Sequence, residues 1–157
     1  VLGIDVNADR LNPLLEHGAA AVLDITDLEF KDLRAAVRWH AAELGFERHS
    51  WKIFECSGAP AGQETAFGLL VPAATLAIVG FTPQRVNVRL SNLMAFDATA
   101  FGSWGCPPQL YPKAVELVAS GRISLLPFIC TMPLSDIAEA FAITDEAKEA
   151  GRVILIP

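Results

Sequence analysis

The sequence predicts an α/β domain built on a parallel sheet, and two observations support this prediction. First, strand-like and helix-like segments alternate along residues 1–81, which is the pattern of βαβ units. Second, the opening run, residues 1–6, is apolar except for Asp5 near its end, as expected of a strand that a parallel sheet covers on both faces. An acid at the carboxyl end of such a strand lies on the edge where open α/β sheets bind ligands.

The composition excludes several classes of protein. Hydrophobic residues make up 52% of the chain and charged residues 19%, which excludes a disordered chain. The net charge of −6 argues against nucleic acid or an anionic membrane as the main partner. Pro72 and Gly80 interrupt the longest apolar stretch, residues 67–81, which is also too short to span a bilayer. Three cysteines without C-x-x-C or metal-ligand spacing fit a reduced, cytoplasmic compartment.

The elements of the first half follow one another closely. A helix over residues 8–17 is expected to stop at Gly18, with Pro13 kinking it or delaying its start. Ser57 and Gly58 form a tight turn between a strand and the next helix. The other predicted elements of this half are a strand at 19–23, a helix at 31–44 that Gly45 ends, a strand at 51–56, a helix at 63–70 and a strand at 75–81.

The pattern changes after residue 81. The segment from Val86 to Leu90 alternates apolar and polar side chains, which predicts a half-exposed strand at a sheet edge. Because an open edge invites a partner strand, we expect a homo-oligomer paired through this segment. The remaining predicted elements are a short helix at 91–96, a strand at 99–104, a helix at 111–120 that Gly121 ends, an extended segment at 123–130, a helix that Ser135 caps and that runs through 141, and a strand at 152–156.

Five short motifs occur along the chain in a recognisable order. They are I-D-V-N-A-D-R-L, E-C-S-G, L-A-I-V-G-F, A-F-G-S-W-G and G-R-V-I-L-I-P. In this order and spacing they resemble the carboxyl-terminal portion of the medium-chain, zinc-type alcohol dehydrogenase family. The resemblance implies a Rossmann-type parallel sheet that lacks its first βα unit over residues 1–103. It also implies that residues 104–157 form a segment that returns to a catalytic domain.

The resemblance implies an activity as well. Members of the family transfer a hydride from a secondary alcohol to NAD. Two stretches, V-R-L-S-N-L-M-A-F-D-A-T-A-F-G-S-W-G-C and Y-P-K-A-V-E-L-V, are most similar to the branch of the family that oxidises a cyclic hydroxyacyl-CoA. The expected partner is therefore a small-molecule acyl-CoA or alcohol substrate, with NAD as the cofactor.

The resemblance assigns cofactor-binding roles to particular residues. Asp5 matches the acid that accepts hydrogen bonds from the adenosine ribose hydroxyls, Arg10 matches a basic residue along that ribose, and Arg152 matches a residue near the pyrophosphate. The other matches are the turn that flanks the cofactor (Cys56, Ser57, Gly58), the strand end whose backbone faces the nicotinamide (Val79, Gly80, Phe81) and the segment whose backbone meets the carboxamide (Ser103, Trp104).

Two features of the family pattern are missing from this sequence. The glycine-rich phosphate loop, G-x-G-x-x-G, is expected just before Val1, and the catalytic zinc ligands are expected in a catalytic domain upstream. We therefore expect zinc to be bound only through residues outside this chain. We also expect residues 1–157 alone to be inactive and to bind NAD poorly, because the loop and its helix supply the N–H groups that hold the pyrophosphate.

Simpler interpretations stay open for several of these residues. Asp5 could merely cap the following helix. Cys56 is expected to be a small core residue rather than a nucleophile, because no basic residue adjoins it. Trp104 could belong to the core, and Arg152 could be a surface residue on a terminal strand. The three histidines lack ligand spacing and are expected at the surface.

Two other functions also stay open. An S-adenosylmethionine-dependent methyltransferase likewise binds a ribose with an acid after its second strand. A non-enzymatic nucleotide-binding module would account for the missing motifs. The E-C-S-G turn and the final V-I-L-I-P strand favour the dehydrogenase.

Overall fold

The computed structural model describes residues 1–146 and 151–157. It has two compact units, which we call unit 1 (residues 1–26 and 106–157) and unit 2 (residues 27–105). Helices alternate with strands, and the strand pairs in the described residues are all parallel. The predicted α/β class with a parallel sheet is therefore confirmed.

Unit 1 begins with two parallel strands. Strand β1 (Leu2–Asp5) pairs in register with β2 (Ala21–Asp24), so that Asp5 lies opposite Asp24 at the carboxyl ends. Between them, helix α1 (Ala8–Leu11) ends sooner than the sequence predicts and continues as a 3₁₀ turn, Asn12–Leu14. The reason is Pro13, which has no N–H to donate to the carbonyl four residues earlier.

The carboxyl-terminal part of unit 1 contains a second strand pair and two helices. The elements are α5 (Tyr111–Ala119), β6 (Ile129–Pro133), α6 (Ile137–Asp145) and β7 (Arg152–Ile156), and β6 pairs with β7. The extended segment predicted at 123–130 instead contains a 3₁₀ turn, Leu126–Phe128, around Pro127. The cap predicted at Ser135 is also wrong, because its hydroxyl donates to Asp136 Oδ1 (2.8 Å) and a 3₁₀ turn, Leu134–Asp136, precedes α6.

Unit 2 is a three-stranded parallel sheet with helices. Its elements are α2 (Phe30–Glu43), β3 (Lys52–Glu55), α3 (Pro60–Gly68), β4 (Thr75–Ile78), α4 (Ser91–Ala95) and β5 (Thr99–Gly102), in the strand order β3–β4–β5. The core consists of small and branched apolar side chains around Phe67, together with Ala66, Leu70, Val71, Ala74 and Leu76. Leu76 on the central strand is 1% exposed, so the core is centred on β4.

The segment from Val86 to Leu90 is not a strand, so the predicted strand there is wrong, while the pairing of two copies through this segment stays a prediction. The alternation holds over residues 86–89, since Val86 and Val88 are half-buried and Asn87 and Arg89 are exposed, but Leu90 is exposed as well. In the described residues, however, no ladder forms along the segment, and the Asn87 N–H donates to a side chain, Glu64 Oε1 (3.0 Å). Apolar alternation reports packing on a core, which an irregular segment can also achieve.

Strands β4 and β5 of unit 2 end earlier than the sequence predicts. Strand β4 was expected to continue to residue 81 but ends at Ile78, because the N–H groups of Val79 and Gly80 both donate to the Glu55 carbonyl (2.8 and 3.0 Å). Strand β5 ends at Gly102, and the next N–H, that of Ser103, donates to the Ile78 carbonyl (2.9 Å). As a result, residues 79–81 and 103–104 lie in loops at the carboxyl edge of the sheet.

Across residues 1–146 and 151–157, no helix is both long enough and apolar enough to cross a membrane.

Candidate cofactor site

Unit 2 has an open cleft at the carboxyl ends of β4 and β5. Val79, Gly80 and Phe81 follow β4, Ser103 and Trp104 follow β5, and all five line the cleft, whose volume is about 440 Å³. These are the residues that the sequence associates with the nicotinamide and its carboxamide. Parallel pairing of β4 with β5 brings the two segments together, because both strands end at the same edge of the sheet.

Two aromatic rings form one part of the cleft lining. The Phe81 and Trp104 rings meet edge to face, with centroids 5.7 Å apart and an interplanar angle of 78°. Their exposed fractions are 67% and 84%, so Trp104 is not a core residue. Exposed aromatic faces beside a cleft offer large flat contact areas to a planar ring.

Several backbone groups that line the cleft already form hydrogen bonds within the protein. The N–H groups of Val79, Gly80 and Ser103 donate inside the protein, as described above, and Gln63 Nε2 donates to the Gly80 carbonyl (3.0 Å). A ligand amide near residues 79–80 would therefore donate to carbonyl oxygens rather than accept from these N–H groups. Gln63 lines the cleft as well. No local pattern indicates this, because its partner lies 17 residues away along the chain.

Glu55 holds the turn behind the cleft. Its side chain is buried, with 4% exposed. Its Oε1 accepts three hydrogen bonds, from the Ser57 N–H (2.7 Å), the Ser57 hydroxyl (2.5 Å) and the Gly58 N–H (3.3 Å). Its Oε2 is buried without a partner among the described residues. Glu55 thereby fixes the Ser57–Gly58 turn by its side chain and residues 79–80 by its carbonyl.

The turn and the cleft approach each other so closely that only glycine fits. Gly58 has φ +67°, and a Cβ there would lie 2.6 Å from the Phe81 carbonyl oxygen. A Cβ on Gly80 would clash with the Gly58 nitrogen, and one on Gly62 would clash with the Ser57 hydroxyl. Glycine at positions 58 and 80 therefore allows two parts of the protein, the turn after β3 and the loop after β4, to approach each other closely.

Cys56 is exposed, so its predicted place in the core is wrong. The inward-facing residues of β3 are Ile53 and Glu55, which leaves Phe54 and Cys56 on the opposite face. Partial burial raises the pKa of the Cys56 thiol, and the negative charge of Glu55 raises it further. A raised pKa lowers the fraction of thiolate at neutral pH, which argues against a nucleophilic role.

The reactivity of Cys56 gives a direct test of this electrostatic arrangement. In a variant that keeps only this cysteine, iodoacetamide should react with a pH midpoint above about 8.5, the value of an unperturbed thiol. Glu55→Gln should lower the midpoint because it removes the adjacent negative charge. Glu43→Gln, a neutralisation elsewhere on unit 2, should leave it unchanged. A midpoint at or below the ordinary value in the parent chain would contradict the predicted shift.

Asp5, Arg10 and Arg152, the other predicted residues, belong to unit 1. Asp5 Oδ1 accepts the N–H groups of Val6 (2.8 Å) and Asn7 (3.0 Å), whereas the cap of α1 is Asn7, whose Oδ1 accepts the Asp9 N–H (2.8 Å). Capping therefore does not explain Asp5. Arg10 is half-buried in the last turn of α1, and Arg152 is exposed at the start of β7.

A second aspartate accompanies Asp5. Asp24 ends β2 opposite Asp5, and its Oδ1 accepts the N–H (2.9 Å) and the hydroxyl (2.6 Å) of Thr26. These hydrogen bonds lower the pKa of Asp24. The two carboxylates differ in their partners, since Asp5 is held by backbone N–H groups and Asp24 also by a hydroxyl.

The described residues hold no cluster of three or more His, Cys, Asp or Glu side chains that could bind a metal ion. His17 packs edge to face on Phe128 (4.9 Å between centroids), His40 packs on Trp39, and His49 interacts with Glu47 and Ser50. These residues therefore do not fit a zinc centre.

Residues 1–120 match the family model described as zinc-binding dehydrogenase. The chain belongs to this family. The family uses NAD and zinc, and its members are oxidoreductases. The match confirms the family expected from the sequence and does not favour a methyltransferase or a non-enzymatic module.

Two proteins of similar sequence align with most of this chain but are much longer than it. L-threonine 3-dehydrogenase of Xanthomonas euvesicatoria pv. vesicatoria (strain 85-10) is 24% identical over 99% of this chain and 43% of its own length. A putative D-xylulose reductase of Rhizobium meliloti (strain 1021) is 32% identical over 62% of this chain and 28% of its own length. The chain thus spans less than half the length of these relatives.

A solved structure has the same fold as this chain over part of its length. Galactitol-1-phosphate dehydrogenase from Escherichia coli has a TM-score of 0.81 and 25% identity, covering 100% of this chain and 46% of that protein.

Proposed function

We propose that this chain supplies the dinucleotide-binding part of an NAD-dependent dehydrogenase that oxidises a secondary alcohol. The observation that carries the proposal is the cleft at the carboxyl ends of β4 and β5. Two segments that the family resemblance assigns to the nicotinamide, residues 79–81 and 103–104, line it together. In open α/β sheets, this edge is where nucleotides bind.

The cofactor roles proposed for the residues of the two units are described for each unit separately. In unit 2, the nicotinamide would lie against Phe81 and Trp104, with its carboxamide donating to carbonyl oxygens of the loops after β4 and β5. Cys56, Ser57 and Gly58, in the turn that Glu55 holds, would flank the cofactor. In unit 1, the roles expected of its residues stay as predicted, on the adenosine ribose for Asp5 and Arg10 and near the pyrophosphate for Arg152.

Bound NAD would accept the hydride from the carbinol carbon of the substrate. The chain's own contribution is to hold the nicotinamide in a fixed orientation and to shield one face of it with Phe81 and Trp104. Both rings have the exposed area needed for such a contact. Since the described residues do not fit zinc, we assign them no step in activating the alcohol.

For the substrate we propose a cyclic hydroxyacyl-CoA of the 6-hydroxycyclohex-1-ene-1-carbonyl-CoA type. This proposal is supported by the similarity of residues 88–106 and 111–118 to that branch of the family. A small polyol or amino alcohol is the competing substrate class. It is favoured by the names of the relatives, which act on L-threonine, D-xylulose and galactitol 1-phosphate.

An assay of the whole protein separates these substrate classes. With NAD in excess, we expect reduction of NAD at 340 nm with the cyclic hydroxyacyl-CoA, and a kcat/KM at least about 100-fold lower with L-threonine, xylitol and galactitol 1-phosphate. A higher kcat/KM for any of the three would reverse the substrate proposal but leave the dehydrogenase proposal standing. No NAD reduction with any secondary alcohol, from protein loaded with zinc, would contradict both.

Homo-oligomer formation and a cytoplasmic location stay predictions. The predicted pairing of two copies through residues 86–90 is part of the first of these, although the segment is not a strand within one chain.

A further inference from the structure

A second cavity lies at the opposite edge of the unit 2 sheet. Trp51 precedes β3, Leu70 and Val71 precede β4, and Phe96 precedes β5; all four line a cavity of about 190 Å³. The nicotinamide cleft is at the carboxyl ends of β4 and β5. Since a four-residue strand spans about 13 Å, the two sites are separate.

The floor of this cavity is apolar and its charged lining is entirely positive. Leu70 and Val71 are buried members of the core, with 2% and 7% exposed, and Trp51 and Phe96 pack against that core. The titratable lining residues are Arg38, from α2, and Arg48, from the loop after α2.

The two arginines stand out against the charge of the chain. Within residues 1–146 and 151–157, neither guanidinium has a hydrogen-bond or ion-pair partner, and the chain as a whole carries a net charge of −6. The nearest acid along the sequence, Glu47, already interacts with His49. Two guanidinium groups beside one apolar cavity, with no carboxylate to balance them, favour an anionic ligand.

Hydrogen bonds hold the walls of the cavity in place. The Trp51 indole N–H donates to the Glu47 carbonyl (2.7 Å), and the Ser50 N–H donates to the Pro72 carbonyl (2.7 Å). The Ala73 N–H donates to the Phe96 carbonyl (2.7 Å). These bonds tie the segments before the three strands to one another, so the cavity does not have to be ordered by a ligand.

We propose that this cavity binds a small organic carboxylate with a compact apolar body. The carboxylate would bind the guanidinium groups of Arg38 and Arg48, and the body would lie against Trp51, Phe96 and Leu70. The volume sets the size of the body, because an apolar cavity of about 150 Å³ holds one benzene ring. An aromatic or branched aliphatic carboxylate therefore fits better than a nucleotide or a CoA thioester.

Nuclear magnetic resonance of the chain with benzoate tests the proposal. The chain has three tryptophans, so its indole N–H signals are few enough to assign. Trp51 lies in this cavity, whereas Trp104 lies in the cleft and Trp39 in neither. We expect the Trp51 indole signal to shift saturably with a Kd near or below about 1 mM, while the signals of Trp39 and Trp104 stay in place.

Two matched ligands separate charge from shape. Benzamide has the shape of benzoate without its charge, and acetate has the charge without the ring; each should bind at least about 10-fold more weakly than benzoate. Inorganic phosphate serves as a third probe. If phosphate binds as tightly as benzoate, the site recognises anions alone and the proposed apolar body is wrong.

Variants complete the test. Arg38→Met and Arg48→Met should each weaken benzoate binding about 10-fold or more, and Arg48→Lys should restore only part of it, because lysine lacks the bidentate fork. Arg85→Met, which removes an exposed arginine outside the cavity, is the matched control and should bind like the parent chain. Thermal unfolding checks that each variant is folded. No saturation at 20-fold higher benzoate than the expected Kd, or equal binding by all four variants, would overturn the proposal.

Discussion

Replacing Asp5 by serine in the whole protein should raise the KM for NAD by about 10- to 100-fold and should change the KM for NADP much less. A carboxylate that accepts a hydrogen bond from a ribose hydroxyl contributes about 1.5–3 kcal/mol. The same charge would repel a 2′-phosphate, so its loss removes affinity for one cofactor and relieves repulsion of the other. Steady-state kinetics with both cofactors measures the change.

Asp24 provides the matched control for this experiment. It ends the neighbouring strand opposite Asp5, and its carboxylate is held by Thr26. Asp24→Ser removes a negative charge from the same edge of the sheet, and we expect it to leave the NAD preference within about threefold of the parent, because Thr26 already holds this carboxylate and no ribose hydrogen bond is proposed for it. Equal efficiency of the parent enzyme with NAD and NADP would refute the role of Asp5, and so would equal losses in the two variants.

Replacing Glu55 by alanine should destabilise the chain by about 3–5 kcal/mol. The substitution removes the acceptor of three hydrogen bonds at once and leaves the N–H groups of Ser57 and Gly58 without that partner. It also leaves a cavity where a buried side chain was packed. Urea unfolding with an unchanged m-value measures the loss.

Glu55→Gln is the matched control, because the pattern of hydrogen bonds is asymmetric. An amide oxygen in place of Oε1 keeps all three donors, and the amide nitrogen replaces Oε2, which has no partner in the described residues. The expected loss is therefore only about 1 kcal/mol. If glutamine and alanine cost the same, the negative charge rather than the acceptor geometry holds the turn.

The sequence predicted well what depends on local chemistry. Gly45 and Gly121 end α2 and α5 with positive φ, and the strand at 152–156 has the bounds that its apolar run indicated. The residues lining the cleft were placed by family motifs, not by local pattern. Glu55 and Gln63 were missed because their importance arises from contacts made through the fold, with the Ser57–Gly58 turn in one case and Gly80 in the other.

The errors have a common physical origin. At Val86 to Leu90 the sequence pattern predicted inward packing, and at Ser135 it predicted a local hydrogen bond. Both interactions occur, but not with the partner that was expected. Val88 does pack on the core, yet its segment forms no ladder with a strand in the described residues. Ser135 does bond its neighbour, yet to a side chain rather than a helix N–H. Which partner a polar or apolar group finds is decided by tertiary structure.

The parallel pairing of the strands has a consequence for how the chain folds. In the described residues each strand is joined to its neighbour by a crossover rather than a hairpin, and each pairing joins residues about 20 positions or more apart, as with Leu2 and Ala21 or Thr75 and Thr99. No ladder can start from a tight turn, so the ordering entropy of each crossover is lost before its hydrogen bonds form. Such a topology is expected to fold more slowly than a helical bundle of the same size, with unpaired strand edges exposed to other chains while it does so.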